Sequence, residues 1–313
     1  MIKIFRTIDG MIHQVNEAQE GCWIALINPT ATEILEIAGQ YGIEQSDLRA
    51  PLDEEERSRI EVEDNYTMVL VDIPMIEERN DKDWYVTIPM SIVLTEDMIF
   101  TVCLEDTPVL SAFMDGRVRN FFTYKKTRFI LQILYKNATM FLHYLRIIDK
   151  KSEEVEKKLH SSTRNEELLE LMELEKSLVY FTTSLRSNEV VLEKLLKADS
   201  IKHYPEDEEL LEDVIIENKQ AIEMANIYSG ILSGMMDAYA SVISNNMNII
   251  MKFLTTVTIV LTIPNIIFGA FGMNLMSSGI PFADNPWGFP IVILLTVLIS
   301  VVVAFIFSKK NLF

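Results

Sequence analysis

Cysteine is almost missing from this chain: there are two, Cys22 and Cys103, in 313 residues. They show no redox or metal spacing and make no disulfide framework, so a reducing compartment and two small apolar core residues are expected. Glycine and proline are also scarce, at 11 and 10, which excludes a collagen-like or linker-dominated chain. Bases are outnumbered, 28 against 46 acids, for a net charge of −18. That balance argues against nucleic acid as a partner, whose phosphates are bound by displacing counterions with Lys and Arg. The four histidines, His13, His143, His160 and His203, have no close pairing and offer no soft-metal site. No Ser/His/Asp or Cys/His grouping and no Gly-x-x-x-x-Gly-Lys loop is present, so neither an enzyme nor a resident cofactor is expected. The first ten residues contain no long apolar core, and no cleaved leader is expected.

What charge there is lies unevenly. Between 238 and 283 the only charged residue is Lys252, and after Met251 the only acid is Asp284. Residues 1–250 hold 25 bases and 45 acids, a net charge of −20. The rest is nearly uncharged and contains two apolar runs, 253–271 and 287–307. A bilayer core of about 30 Å takes roughly 20 helical residues, so each run is long enough to cross once. A pair of buried core helices is the soluble alternative, but two such runs in series are unusual in soluble domains. The connecting segment has no Lys or Arg, whereas Lys252 and the pair Lys309 and Lys310 flank the spans on the other side. Positive-inside bias then puts both termini in the cytoplasm of a multi-pass protein of the cell membrane.

The soluble part begins with β-favouring runs at 23–27, 66–73, 91–94 and 99–104, with a helical stretch from about Thr32 and breakers at Gly42 and Pro51. This mixture predicts a compact α/β domain. Helical spacing dominates afterwards, over 121–160 and 166–197; the charged stretch 150–158 reads as a solvated helix face. Tyr204-Pro205 interrupts the chain, and no proline follows until Pro264. An unbroken helix over 206–271 would run about 100 Å at about 1.5 Å per residue. Such a helix predicts a bundle of identical copies that leaves the cytoplasm and enters the bilayer. The expected fold class is an α+β membrane protein: a cytoplasmic α/β domain (1–115), long helices and a stalk (116–250), and a two-helix pore domain (251–313) with spans at about 251–271 and 287–307.

Alternating steps of three and four from Asp237 give Ser241, Ser244, Asn248, Met251, Thr255, Thr258, Thr262, Asn265, Gly269 and Gly272. Within the first span only one polar residue, Thr256, lies off this stripe. A spacing averaging 3.5 keeps one face toward a bundle axis. Two readings fit: hydroxyls bonding their own backbone and gluing helices together, or several copies surrounding a wet pore. The amide of Asn265 at membrane depth favours the pore.

The first span closes on Phe271-Gly272-Met273-Asn274, followed by a short loop and one last span with basic residues at its end. This arrangement resembles the CorA family of divalent-cation channels. Asn248-x-x-Met251-Lys252-x-Leu254-Thr255 is similar to that family's inner-helix segment, and Trp23-Ile24 and the stretch 60–66 to its N-terminal domain. The resemblance implies a homopentamer passing Mg²⁺, with Co²⁺ and Ni²⁺ as further cargo, down the electrochemical gradient. It implies a selectivity filter at Gly272, Met273 and Asn274, with Asn274 meeting the hydrated ion. Asn265, Thr262, Thr258 and Thr255 would line the pore, with Asn248, Met251 and Leu254 as the inner constriction and Ser244 and Asp237 beneath them.

Two departures stand out. The loop after the triplet has a single late acid, Asp284, where Mg²⁺-carrying members usually have a Met-Pro-Glu-like acidic loop. The family's regulatory cytosolic metal site matches Asp213 on the stalk, but its partner position is Ala50, so a nearby acid such as Asp53 would have to substitute; Asp47 and Glu54-Glu55-Glu56 are also near. The competing functions are a Zn²⁺ permease of the same superfamily and a membrane-anchored helical sensor or scaffold that transports nothing.

Overall fold

The structure is a computed structural model that describes residues 1–79, 82–159, 166–197, 205–273, 281 and 285–309. It divides into two compact units, Met1–Gly234 and Met235–Phe313. Among the described residues seven strands build the first: β1 (Ile2–Ile8), β2 (Met11–Val15), β3 (Trp23–Ile27), β4 (Arg59–Val62), β5 (Tyr66–Arg79), β6 (Lys82–Thr95) and β7 (Ile99–Cys103). They form one sheet in the order β2-β1-β3-β7-β6-β5-β4, antiparallel throughout except where β3 meets β7.

Successive side chains on a strand point to opposite faces, so β5 feeds two cores. Val69, Val71, Ile73 and Met75 join one, and Tyr66 and Met68 the other. The second core is closed by α1 (Ala31–Tyr41) and α2 (Gln45–Arg49), through Ile34, Ile37, Ala38 and Leu48. Helix α1 has a full capping box, with Thr30 and Glu33 each bonding the other's backbone N–H, and ends on Gly42 in the left-handed region at φ 67°. The first core is closed by α3 (Pro108–Met114), α4 (Lys126–Leu159), α5 (Glu166–Leu195) and the start of α6 (Pro205–Phe271). Trp23 sits at its centre, fully buried, stacked on Phe5 at 5.0 Å and edge-on to Phe129 at 5.1 Å. Its indole N–H donates to Thr101 Oγ1 at 2.9 Å, so the ring's one polar atom is satisfied in the core.

The strand count exceeds the four expected runs. The missed hairpin of β1 and β2 turns on Asp9 and Gly10, both at positive φ (51° and 79°), and Asp-Gly between two β runs is the local signal that marks it. The stretch 150–158 is not purely a solvated face: Ser152 and Val155 are buried, and Lys151 reaches Asp83 at 2.8 Å over the ring of Tyr85.

The long helices pack by a repeat of seven. On α5 the buried positions Leu171, Leu174, Leu178, Phe181, Leu185, Asn188, Leu192 and Leu195 alternate in steps of three and four. On α6 the buried series is Asp207, Leu211, Val214, Asn218, Ala221, Ala225 and Leu232. Two polar members are tied down: Asp207 pairs with Arg128 at 3.2 Å, and Asn218 donates to Leu185 O at 3.1 Å. Asn188 acts as a substitute strand. Its amide donates to Asp72 O at 2.8 Å and accepts from Asp72 N at 2.9 Å, on β5 past the end of β4.

The second unit holds the rest of α6 and α7 (Gly288–Lys309), both long and apolar enough to cross a membrane. Pro205 opens α6 where its missing N–H costs nothing, and the helix runs 67 residues, through Pro264. Only 6% of the most apolar window of either helix is buried within the chain. Lipid-facing helices look like this, and the chain is a multi-pass membrane protein.

Candidate ion pathway along the long helix

The stripe from Asp237 to Gly272 lies on one continuous helix, and Asp237, Ser241, Ser244, Asn248, Met251, Thr255, Thr258, Thr262 and Asn265 are all exposed in the single chain. Leu254, beside it, is 56% exposed. The one polar residue of the span off the stripe, Thr256, is 5% exposed. Thr256 begins a second series in steps of three and four. Extended further, that series meets Val260, Ile263 and Ile267, each half-buried. From Thr256 to Ile267, therefore, two seams run along this helix, centred about 150° apart at 3.5 residues per turn. One is covered within the chain; the other, carrying the hydroxyls and amides, is bare.

The same steps can be counted back from Asp237 into the first unit, through Gly234, Gly230, Ile227, Glu223, Gln220, Ile216 and Asp213. Asp213 is exposed.

The hydroxyls are not idle. Thr258 Oγ1 donates to Leu254 O at 2.8 Å, Thr262 Oγ1 to Thr258 O at 2.7 Å, and Ser241 Oγ to Asp237 O at 3.1 Å. Each has spent its one donor on the preceding turn and keeps its lone pairs. A row of such groups presents acceptors only, which suits the outward-pointing hydrogens of a hydrated cation.

At the helix end, Gly272 N donates to Phe268 O at 2.9 Å. A Cβ on Gly272 would come within 3.2 Å of that same carbonyl, so the turn leaves little room for a side chain. Met273 is 56% exposed; Asn274 lies outside the described residues, as does Asp284.

The acids near the start of the sheet differ in availability. Asp53 is exposed, with Oδ1 accepting from Glu55 N at 3.1 Å. Glu56 is held by Arg59 at 2.6 Å, together with Glu61. Asp47 is buried and accepts the Tyr66 hydroxyl at 2.7 Å, and burial with that bond pushes the tyrosine's pKa up. Ala50 is buried in the short turn before Asp53. Among the described residues no three His, Cys, Asp or Glu side chains of one chain converge on a metal-sized space. Cys22 and Cys103 are free and buried, and burial pushes the Cys103 thiol up to about 12.

A family model described as CorA-like Mg²⁺ transporter protein matches residues 18–310. The cobalt/magnesium transport protein CorA of Methanocaldococcus jannaschii is 31% identical, with 92% of this chain and 90% of that protein aligned. The protein of the same name from Thermotoga maritima is 24% identical over 98% of this chain and 88% of its own length. The complete structure of the CorA magnesium transporter from Methanocaldococcus jannaschii superposes with a TM-score of 0.85 at 27% identity, covering 99% of this chain and 98% of that one.

Proposed function

The chain belongs to the CorA-like Mg²⁺ transporter family, with the architecture of its divalent-cation channels, and we propose that it is a passive, homopentameric pathway for Mg²⁺ into the cell. Co²⁺ and Ni²⁺ are further cargo, and both termini face the cytoplasm. The supporting observation is the pair of seams on α6: the face that carries Thr255, Thr258, Thr262 and Asn265 lies nearly opposite the face covered within the chain. Turned inward by five copies, it forms a polar wall.

The steps follow from charge and hydration. A divalent ion gains about 4.6 kcal/mol per 100 mV of inward-negative potential, twice the value for one charge, so no nucleotide is needed. Mg²⁺ dehydrates reluctantly, and a ring of Asn274 amides at the outer mouth accepts bonds from its waters without stripping them. Threonine oxygens along the wall, with their donors already committed, repeat that acceptor-only surface. Met251 and Leu254 narrow the inner end and close it by dewetting, with Asn248 beside them. Asp237 concentrates cations below the constriction and Ser244 lies between.

Gating follows from the same charges. Among the described residues one chain brings no three such acids together, and the regulatory ion bridges Asp213 of one copy and Asp53 of the next. Bound Mg²⁺ holds the stalks closed, and its loss lets the carboxylates repel. The hydroxyl bonds to helix carbonyls also favour a second reading, a transport-free helical anchor, in which those groups never see an ion.

Flux into liposomes holding the purified protein separates the readings. Mg²⁺ entry is expected without a proton gradient, and Asn274→Ala should lower it by roughly tenfold or more, the scale of losing one set of oriented polar contacts. Absence of any flux of Mg²⁺, Co²⁺ or Ni²⁺ leaves the anchor; Zn²⁺ entry alone makes the chain a zinc permease.

A further inference from the structure

Within the two spans the buried side chains, among the described residues, are both threonines: Thr256 at 5% exposure and Thr296 at 1%. A threonine on a lone helix keeps far more of its surface, and α7 is the other helix of this unit. The half-buried positions of α7 are Ile291, Val292, Ile299, Ser300, Val303, Ala304 and Phe307, and the row in steps of four through Thr296 holds Val292, Ser300 and Ala304. On that row Thr296, Ser300 and Ala304 are small, which lets helix backbones approach closely between the bulkier neighbours. The hydroxyls do not reach across as donors, because Thr296 Oγ1 donates to Val292 O at 2.7 Å and Ser300 Oγ to Thr296 O at 2.9 Å. What this face of α7 offers α6 is shape and the lone pairs of those oxygens. In hydrocarbon there is no hydrophobic drive to choose one apolar face over another, so the small residues make the choice.

We propose that Thr296, with Ser300 and Ala304 in the following turns, is a positioning element: it seats the Thr256 side of α6 against α7 and thereby turns the polar stripe away from it. The inference rests on the pore reading above and names what fixes the rotation of the pore helix. A larger side chain at position 296 lifts α7 off that seat, and α6 is then free to rotate.

The test uses the full chain in liposomes with one thiol reporter at a time, Thr262→Cys on the stripe or Leu261→Cys off it. Cys22 and Cys103 are buried and give little background. A water-soluble methanethiosulfonate reads which face is wet. With Thr296 intact, the reporter at 262 should react about tenfold or more faster than that at 261, since the thiolate forms in water and not in hydrocarbon. Thr296→Ser should preserve that ratio. Thr296→Leu, and separately Ser300→Leu in case the first variant fails to insert, should bring it to within about twofold, as the two faces mix. An unchanged ratio in the leucine variants overturns the positioning role. Equal reaction at 261 and 262 with Thr296 intact overturns the pore reading first, and this proposal with it.

Discussion

Residues 1–234 and 235–313 solve opposite problems. The first unit buries both faces of its sheet and closes its long helices by a repeat of seven, and buried polar groups such as Trp23, Asp207 and Asn218 find partners inside one chain. The second buries only 6% of the most apolar window of either helix, and the hydroxyls of Thr258, Thr262 and Thr296 donate to carbonyls of their own preceding turns. One unit is finished by its own sequence. The other is finished by hydrocarbon on one side and, in the channel reading, by copies of itself on another.

Cutting the chain at the boundary gives the largest expected effect. A fragment of residues 1–234 should stay soluble and unfold in a single cooperative step, because its cores draw on no residue beyond Leu232. A fragment of 235–313 should be soluble only in detergent or lipid. Circular dichroism during heating and sedimentation in plain buffer check both. A first fragment that melts without cooperativity would erase the distinction between the units.

Trp23→Ala comes next. It removes the ring on which Phe5 and Phe129 pack and strands the Thr101 hydroxyl. The expected loss is about 3–5 kcal/mol, read from the denaturant midpoint of the first unit. Asn188→Leu should cost less, roughly 1–3 kcal/mol, by leaving the Asp72 N–H without its acceptor while the Asp72 carbonyl keeps the Asn137 amide. Neither change touches the spans, so a variant that still folds should keep its stripe.

These particular residues show where sequence reading reaches and where it stops. The 67-residue helix was legible because no proline falls between 205 and 264, and the stripe because spacing alone puts Thr255, Thr258, Thr262 and Asn265 on one face. Thr256 stood out as the polar residue off that stripe, yet its 5% exposure is set by tertiary packing, which no local pattern encodes. The β1–β2 hairpin was marked by Asp9-Gly10 and passed over, since strands carrying Lys3, Arg6 and His13 lack the apolar run of a central strand. Asn188 was illegible for a different reason: an amide in a heptad core position looks like a flaw until β5 is beside it.

The smallest effect tests whether the first unit is as complete as it looks. Asp72 lies among the hydroxyls of Ser184 and Ser58, and burial outweighs those bonds, raising its carboxyl above the ordinary range. A raised carboxyl holds its proton to higher pH in the folded chain than in the unfolded one. The folded state is therefore favoured at low pH, and that share of stability is lost as pH rises from the ordinary carboxylate value through the raised one. Asp72→Asn has no proton to lose. Its stability relative to the parent should climb over that window and stay higher at neutral pH, by about 1 kcal/mol or less, given that the new amide N–H₂ also needs a partner. Denaturant midpoints of both proteins between pH 4 and 7 measure the difference directly, because other groups titrate alike in the pair. A difference that does not change with pH would mean that Ser58 and Ser184 fully compensate the buried charge, and that the polar network around Asn188 is as well satisfied as the apolar core beneath it.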